Sequence, residues 1–217
     1  CINANPAVIN VVGGGIRSMN DITHICLFDI PMLCSIPGLI YLAPTTCEEY
    51  FAMLAWAIRQ DRKPIALRVP TGGVVHSDAP VDEDYGYRAS YRVAHRGSTV
   101  AIIAAGSFYQ KGEAVRALLA EQGIDATLIN PRYLNEVDAE TLDSLKPDHR
   151  LVVTLEDGCR DGGFGERIAA YYGTSDMKVM VGGVKKGLYD RYDAQQLMAD
   201  NRLLDSQIVE DIVRVIG

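Results

Sequence analysis

Short unbroken apolar runs recur along this chain, and helical patterns fill most of the intervals between them. Five runs are clear, Ala7–Val12, Leu39–Leu42, Ile65–Val69, Thr99–Ala104 and Leu151–Leu155, and two are weaker, Ala126–Ile129 and Lys178–Val181. Apolar runs without polar alternation suit strands covered on both faces, as in a parallel sheet flanked by helices. Between them, Thr45-Thr46-Cys47-Glu48-Glu49 offers an N-cap followed by glutamates, the signature of a capping box. The stretch "EEYFAMLAWAIRQ" then sets Tyr50, Leu54, Ala57 and Ile58 at helical spacing. "YQKGEAVRALLAEQG" puts Val115, Leu118 and Leu119 on one face and stops at Gly123. A last helix, with Asp205 as its cap, carries Ile208, Ile212 and Val215 on its apolar side. The expected class is α/β, two units with mostly parallel sheets covered by helices. From Pro70 to Gly97 the chain is rich in Gly, Pro, Asp and Tyr and loses helical periodicity. It therefore divides into a unit at 1–70, a linker at 71–97 and a unit at 98–217.

Composition narrows the function. Among 217 residues, 21 Lys and Arg face 28 Asp and Glu, a net charge of −7; a nucleic-acid partner would call for a basic face instead. No apolar run approaches the ~20 residues of a membrane span, and no signal peptide opens the chain. Small-molecule chemistry in the cytoplasm is the expectation. Cys1, Cys26, Cys34, Cys47 and Cys159 show neither a CxxC nor a zinc-type cysteine–histidine spacing. They read as buried free thiols in a reducing compartment, and no metal site is expected. "CINANPAVIN" lacks an initial methionine and enters a strand almost at once, as though upstream chain had been lost.

"VVGGGIRSMNDITH" offers two chemistries. Gly13, Gly15 and Ser18 nearly satisfy a dinucleotide fingerprint, but that motif needs a helix to begin at once, so that its amides meet a pyrophosphate. "SMNDITH" forms helix poorly, and no acidic residue ends the next strand, "LIYLAP", to hold a ribose. A turn requiring positive φ accounts better for the glycines. His24 is the stronger lead. It lies past the carboxyl end of the first expected strand, where open α/β sheets bind ligands, with Asp21 and Asp29 nearby in sequence.

"NDITHICLFDIPMLCSIPGLIYLAPTTCEEYFAMLAWAI" followed by "KPIALRVPTG" resembles the pyrimidine-binding domain of the 1-deoxy-D-xylulose-5-phosphate synthases, transketolase-like thiamine diphosphate enzymes. The family pattern there is roughly G-x-T-H-x-G-x-F-D, then I-P-N, L-A-P, an acidic helix start and A-x-R-x-P-R-G. "STVAIIAAGSFYQKGEAVRALLAEQGIDATLINPRYLNEVD" and "LVVTLEDGCRDGGFGERIAAYYG" resemble the C-terminal domain of the same enzymes. The resemblance covers almost the whole chain in the family's order.

The resemblance implies two-carbon transfer from pyruvate to an aldehyde sugar phosphate, a step toward isoprenoids. His24 matches the histidine that faces the thiazolium carbon and the substrate, a position for proton transfer near neutral pH. Thr23 precedes it as in the family. Phe28 and Asp29 are expected to support the loop. Glu156, Gly162, Gly163, Phe164 and Gly165 are expected to shape the domain. Arg17, Asn20, Asp21 and Thr71 are the substrate-binding candidates.

Three positions depart from the pattern: Thr71 stands where P-R-G has arginine, Gly13 where a second arginine is expected, and Asn20 where the family has aspartate. Losing both guanidinium forks removes a phosphate clamp. Arg17 and Arg68 could substitute from nearby, against a surface role for Arg17 and an ion pair for Arg68. The glutamate that activates the cofactor, its stacking aromatic residue and the domain binding diphosphate and Mg²⁺ are all expected upstream of Cys1. The chain is thus expected to be a C-terminal fragment that needs an N-terminal diphosphate-binding domain or chain, in a homodimer. The alternatives are transketolase, a 2-oxoacid dehydrogenase β-chain, or a non-catalytic α/β assembly module.

Overall fold

A computed structural model describes residues 5–16 and 21–217. Among these residues, eight strands form two sheets. Strands β1 (Val8–Val11), β2 (Ile40–Leu42) and β3 (Ile65–Arg68) build a parallel sheet in the order β1-β3-β2. Strands β4 (Arg92–His95), β5 (Thr99–Ala104), β6 (Thr127–Asn130), β7 (His149–Cys159) and β8 (Lys178–Val184) build a second sheet in the order β4-β6-β5-β7-β8. Within it only β4 runs antiparallel. The α/β class and all seven apolar runs thus appear as expected, but the segment read as a linker, 71–97, contributes β4. Arg92 and Val93 pair there with Asn130 and Ile129, and Tyr85 and Tyr87 pack against Trp56 of the first unit.

Each unbroken run feeds two cores, because successive side chains leave a strand on opposite faces. Along β5, Val100, Ile102 and Ala104 face helices α3 (Tyr109–Glu121) and α7 (Asp205–Ile216), which contribute Val115, Leu119, Ile208 and Ile212. Ala101 and Ile103 turn the other way, into a core shared with Tyr41, Ala43 and Ala66 of the first sheet. Helix α5 (Phe164–Tyr172) adds Phe164, Ile168 and Tyr172 to that shared layer. On the far side of the first sheet, α2 (Cys47–Arg59) lays Met53, Trp56 and Ala57 over Ile40, Leu42, Ile65 and Leu67.

Backbone also crosses between the sheets. Ala43 N–H donates to Arg132 O at 2.7 Å and Leu134 N–H to Tyr41 O at 2.9 Å, so the chain leaving β6 runs alongside β2. Thr46 caps α2, accepting from Glu49 N–H at 3.2 Å. The Glu49 carboxylate does not close the expected box. It accepts from Thr45 N–H at 2.8 Å and from Asn130 Nδ2 at 3.0 Å, tying α2 to β6. For the last helix, the N-cap is Leu204, and Asp205 is its first residue.

A core common to both sheets should unfold as one unit. Ile103→Ala is expected to cost about 2–5 kcal/mol and to shift one cooperative urea transition by all probes. A separate early transition reported by Trp56 fluorescence would contradict this.

Candidate functional site

The carboxyl ends of β3 and β7 meet the segment that follows β1. Gly13 and Gly15 have φ of 83° and 96°, the left-handed region that glycine enters without strain, so these glycines turn the chain as expected. Ser18 lies outside the described residues. The turn is pinned from both sides: Gly15 N–H donates to Cys26 O at 3.0 Å, and Ile16 N–H to Asp157 O at 3.0 Å. A side chain at Gly15 would collide with the Asp157 carboxylate.

Beneath that turn lies Arg68, 3% exposed. Its Nε donates to Asp29 Oδ2 at 2.7 Å and Nη2 to Asp29 Oδ1 at 3.2 Å, while Nη1 pairs with Asp157 Oδ1. Burial opposes the charge of Arg68, but the two aspartates outweigh it and hold the guanidinium above the ordinary arginine range. Tyr41 completes the shell, donating to Asp29 Oδ2 at 2.6 Å. Burial, with Asp29 beside it, pushes the Tyr41 hydroxyl up, so it stays protonated. The remaining Asp157 oxygen accepts from Ser107 Oγ at 3.0 Å, with Thr71 Oγ1 at 3.5 Å. Thr71, Gly72, Ser107 and Lys111 line a cavity of about 220 Å³. Arg68 is therefore the ion pair and not a substitute phosphate clamp. Its fork is already filled by carboxylates.

The second cluster is built on one turn. Asp21 caps a short 3₁₀ helix, Ile22–His24. Its Oδ1 accepts from Thr23 N–H at 2.9 Å and from Thr23 Oγ1 at 2.6 Å. These bonds, the hydroxyl's first, hold the Asp21 carboxyl below its ordinary range. Thr23 Oγ1 also lies 2.7 Å from His24 Nδ1. An ionised carboxylate only accepts, so the single Thr23 hydroxyl proton goes to Asp21, and the hydroxyl oxygen must accept from Nδ1–H. In a neutral ring that tautomer puts the lone pair on Nε2, which no hydrogen bond engages among the described residues. His24 is exposed, and Ile22 N–H donates to Asp190 Oδ1 at 3.2 Å, fastening the turn to the loop after β8.

The structure thus brings Asp21 and His24 together and sets Thr71 in the Asp157 cluster. Arg17 and Asn20 lie outside the described residues. Sequence reading missed Asp157, Ser107 and Tyr41. The only local signal was an acidic pair, Glu156-Asp157, at the end of an apolar run. Glu156 is fully buried and accepts from Phe164 N–H at 3.1 Å and Gly165 N–H at 2.8 Å, capping α5. The "GGFG" spelling follows from this. A Cβ on Gly163 would come within 2.6 Å of the Glu156 carboxylate, and one on Gly165 would strike Thr154. Among the described cysteines all four are free, but only Cys159 is buried; Cys26, Cys34 and Cys47 are half-buried.

Comparison with known proteins sets this geometry in a family. Residues 89–200 match the family model of the transketolase C-terminal domain, and residues 12–74 that of the transketolase pyrimidine binding domain. The chain belongs to the transketolase family. The 1-deoxy-D-xylulose-5-phosphate synthase of Clostridium acetobutylicum is 34% identical over 195 residues, covering 88% of this chain and 30% of that protein. The synthase of Crocosphaera subtropica is 32% identical over 217 residues, covering 98% of this chain and 34% of that protein. The chain thus spans about a third of the length of these curated relatives. Among solved structures, a split gene transketolase described as an inactive beta4 tetramer aligns with a TM-score of 0.78 at 21% identity, covering 97% of this chain and 65% of that one. Transketolase from Pichia stipitis in complex with sedoheptulose 7-phosphate aligns with a TM-score of 0.71 at 14% identity, covering 97% and 29%. Both likenesses establish the fold. No described helix is long and apolar enough to cross a membrane.

Two stability outcomes follow. Arg68→Met strands two buried carboxylates and is expected to cost about 3–5 kcal/mol in urea unfolding; a loss under about 1 kcal/mol would mean the bridge is not structural. For Glu156, burial raises the carboxyl from 4.5 to about 8. Between those values the folded chain binds one more proton than the unfolded chain, so stability falls as pH rises, by at most about 1.4 kcal/mol per pH unit. Glu156→Gln should flatten that slope across pH 5 to 8, and an unchanged slope would assign it elsewhere.

Proposed function

We propose that this chain is the pyrimidine-side and C-terminal part of a thiamine diphosphate-dependent transferase of the transketolase type. Among its members we read it as a 1-deoxy-D-xylulose-5-phosphate synthase, with pyruvate as two-carbon donor and an aldehyde sugar phosphate as acceptor. The observation that carries the reading is the Asp21–Thr23–His24 hydrogen-bond chain on an exposed turn beyond the first sheet. It holds His24 in the tautomer whose Nε2 takes a proton from, or returns one to, a reacting oxygen. Asp21 and Thr23 act through His24, by fixing its tautomer and tilt. Thr71 and Ser107 offer hydroxyls beside Asp157 for a polyhydroxylated substrate, with Arg17 and Asn20 as further contacts. Because Arg68 is closed off by Asp29 and Asp157, an acceptor phosphate takes its clamp from other groups.

The described residues do not fit the diphosphate end of the cofactor. Their two buried arginines, Arg68 and Arg132, are already paired with carboxylates, and the one group of three His, Cys, Asp or Glu side chains spaced for a metal, Cys47, Glu48 and His76, offers sulfur and nitrogen, whereas Mg²⁺ takes oxygen ligands. Thiamine diphosphate supplies the electron sink in this class of reaction. Holding it with Mg²⁺ is assigned to an N-terminal diphosphate-binding domain or chain, in a homodimer. Free thiols on the described residues favour a reducing compartment, the cytoplasm.

In the intact enzyme supplied with pyruvate and glyceraldehyde 3-phosphate, His24→Ala is expected to lower kcat by a factor of ~10²–10⁴. Unchanged turnover would remove His24 from the mechanism. An intact protein that turns over neither substrate would favour the non-catalytic assembly module, a reading to which the filled Arg68 fork lends weight.

A further inference from the structure

Away from both clusters, the first turn of α2 meets the segment 73–77. Cys47 N–H donates to Val75 O at 2.8 Å, and Ser77 N–H to Glu48 Oε2 at 3.0 Å. His76 Nδ1 lies 2.7 Å from Glu48 Oε1, and this contact, first among its causes, holds the Glu48 carboxyl below its ordinary range. Cys47 is half-buried beside them. One imidazole nitrogen, one carboxylate oxygen and the Cys47 sulfur lie within 4.8 Å of one another.

From this geometry we propose that Cys47, Glu48 and His76 form a binding site for a single borderline-soft divalent cation, Zn²⁺ being the best fit. The donor set carries the choice. A thiolate and an imidazole suit Zn²⁺ and disfavour the hard, oxygen-seeking Mg²⁺ and Ca²⁺. Tetrahedral Zn²⁺, with bonds of about 2.0–2.3 Å, requires donors about 3.3–3.6 Å apart. On loading, the carboxylate and imidazole, 2.7 Å apart, open by about half an ångström, and the sulfur, within 4.8 Å of both, moves to bonding range. They are able to do so, since the His76 and Glu48 side chains are 71% and 38% exposed. Charge balances as well. The positive end of α2 opposes a bare cation but favours thiolate and carboxylate, and those two negative charges neutralise the ion. Binding proceeds with loss of the Cys47 thiol proton to solvent. The Nδ1 proton that faces the Glu48 carboxylate moves through solvent to Nε2, which frees the Nδ1 lone pair for the ion without net release from a neutral ring, and a water fills the fourth position. The loaded site would staple segment 73–77, which follows Thr71, onto α2.

A surface ion pair between Glu48 and His76 alone would need no cysteine, and this separates the two readings. Titrating the reduced full chain with Co²⁺ is expected to give, at one equivalent, a thiolate-to-cobalt band in the near ultraviolet and tetrahedral visible absorption, both erased by Zn²⁺. Cys47→Ser should abolish the near-ultraviolet band while leaving the far-ultraviolet dichroism unchanged. His76→Ala, on an exposed segment, should weaken Zn²⁺ at least about ten-fold, the minimum that even an outer partner of a metal site is worth. His95→Ala, remote in the second sheet, should change nothing. Zn²⁺ uptake should weaken as pH falls, because protons compete for the thiolate and the imidazole. Absence of the thiolate band, its survival in Cys47→Ser, or unchanged Zn²⁺ affinity in His76→Ala would overturn the site.

Discussion

The guanidinium of Arg68, buried between Asp29 and Asp157, is the interaction on which the functional end of this molecule depends. Removing three charges from water is costly, and only near-complete pairing makes it tolerable. Here the fork of Arg68 takes both oxygens of one aspartate and one of the other, and Tyr41 and Ser107 satisfy acceptors that remain. The three residues come from the end of β3, the start of helix α1 (Asp29–Cys34) and the end of β7. One salt bridge therefore sets the two sheets against each other at their carboxyl ends. The glycine turn above it is tight because any side chain at Gly15 would enter the Asp157 carboxylate.

That bridge also decides which groups remain open to a ligand. With the guanidinium spent on structure, the polar groups left beside it are smaller, the hydroxyls of Thr71 and Ser107 at Asp157. The imidazole of His24 gains direction from Thr23, whose one proton is committed to Asp21.

Much of this was legible in the chain itself. Every apolar run became a strand, because a stretch such as Thr99–Ala104 can hide all its side chains only between two apolar layers. The Thr46 cap and the turn at Gly13 and Gly15 were equally local. What escaped were pairings across sequence. Glu49 looked like half of a capping box, yet its carboxylate lies against Asn130, 81 residues away. β4 was hidden in a polar segment, since its apolar residues, Val93 and Ala94, are exposed and backbone pairing with β6 holds it. Cys47 and His76 lacked any zinc spacing, because the chain between them folds through α2 and β3 before returning.

By itself, the amino-acid sequence determined the α/β class, seven of the described strands, helices α2, α3 and α7 and the glycine turn at Gly13 and Gly15, since each rests on periodicity, capping or backbone freedom within a few residues. Tertiary structure alone decided the fate of the charges. Whether an arginine binds a phosphate or is consumed by two aspartates depends on which strand ends converge, and Arg68 reaches Asp157 across 89 positions of chain.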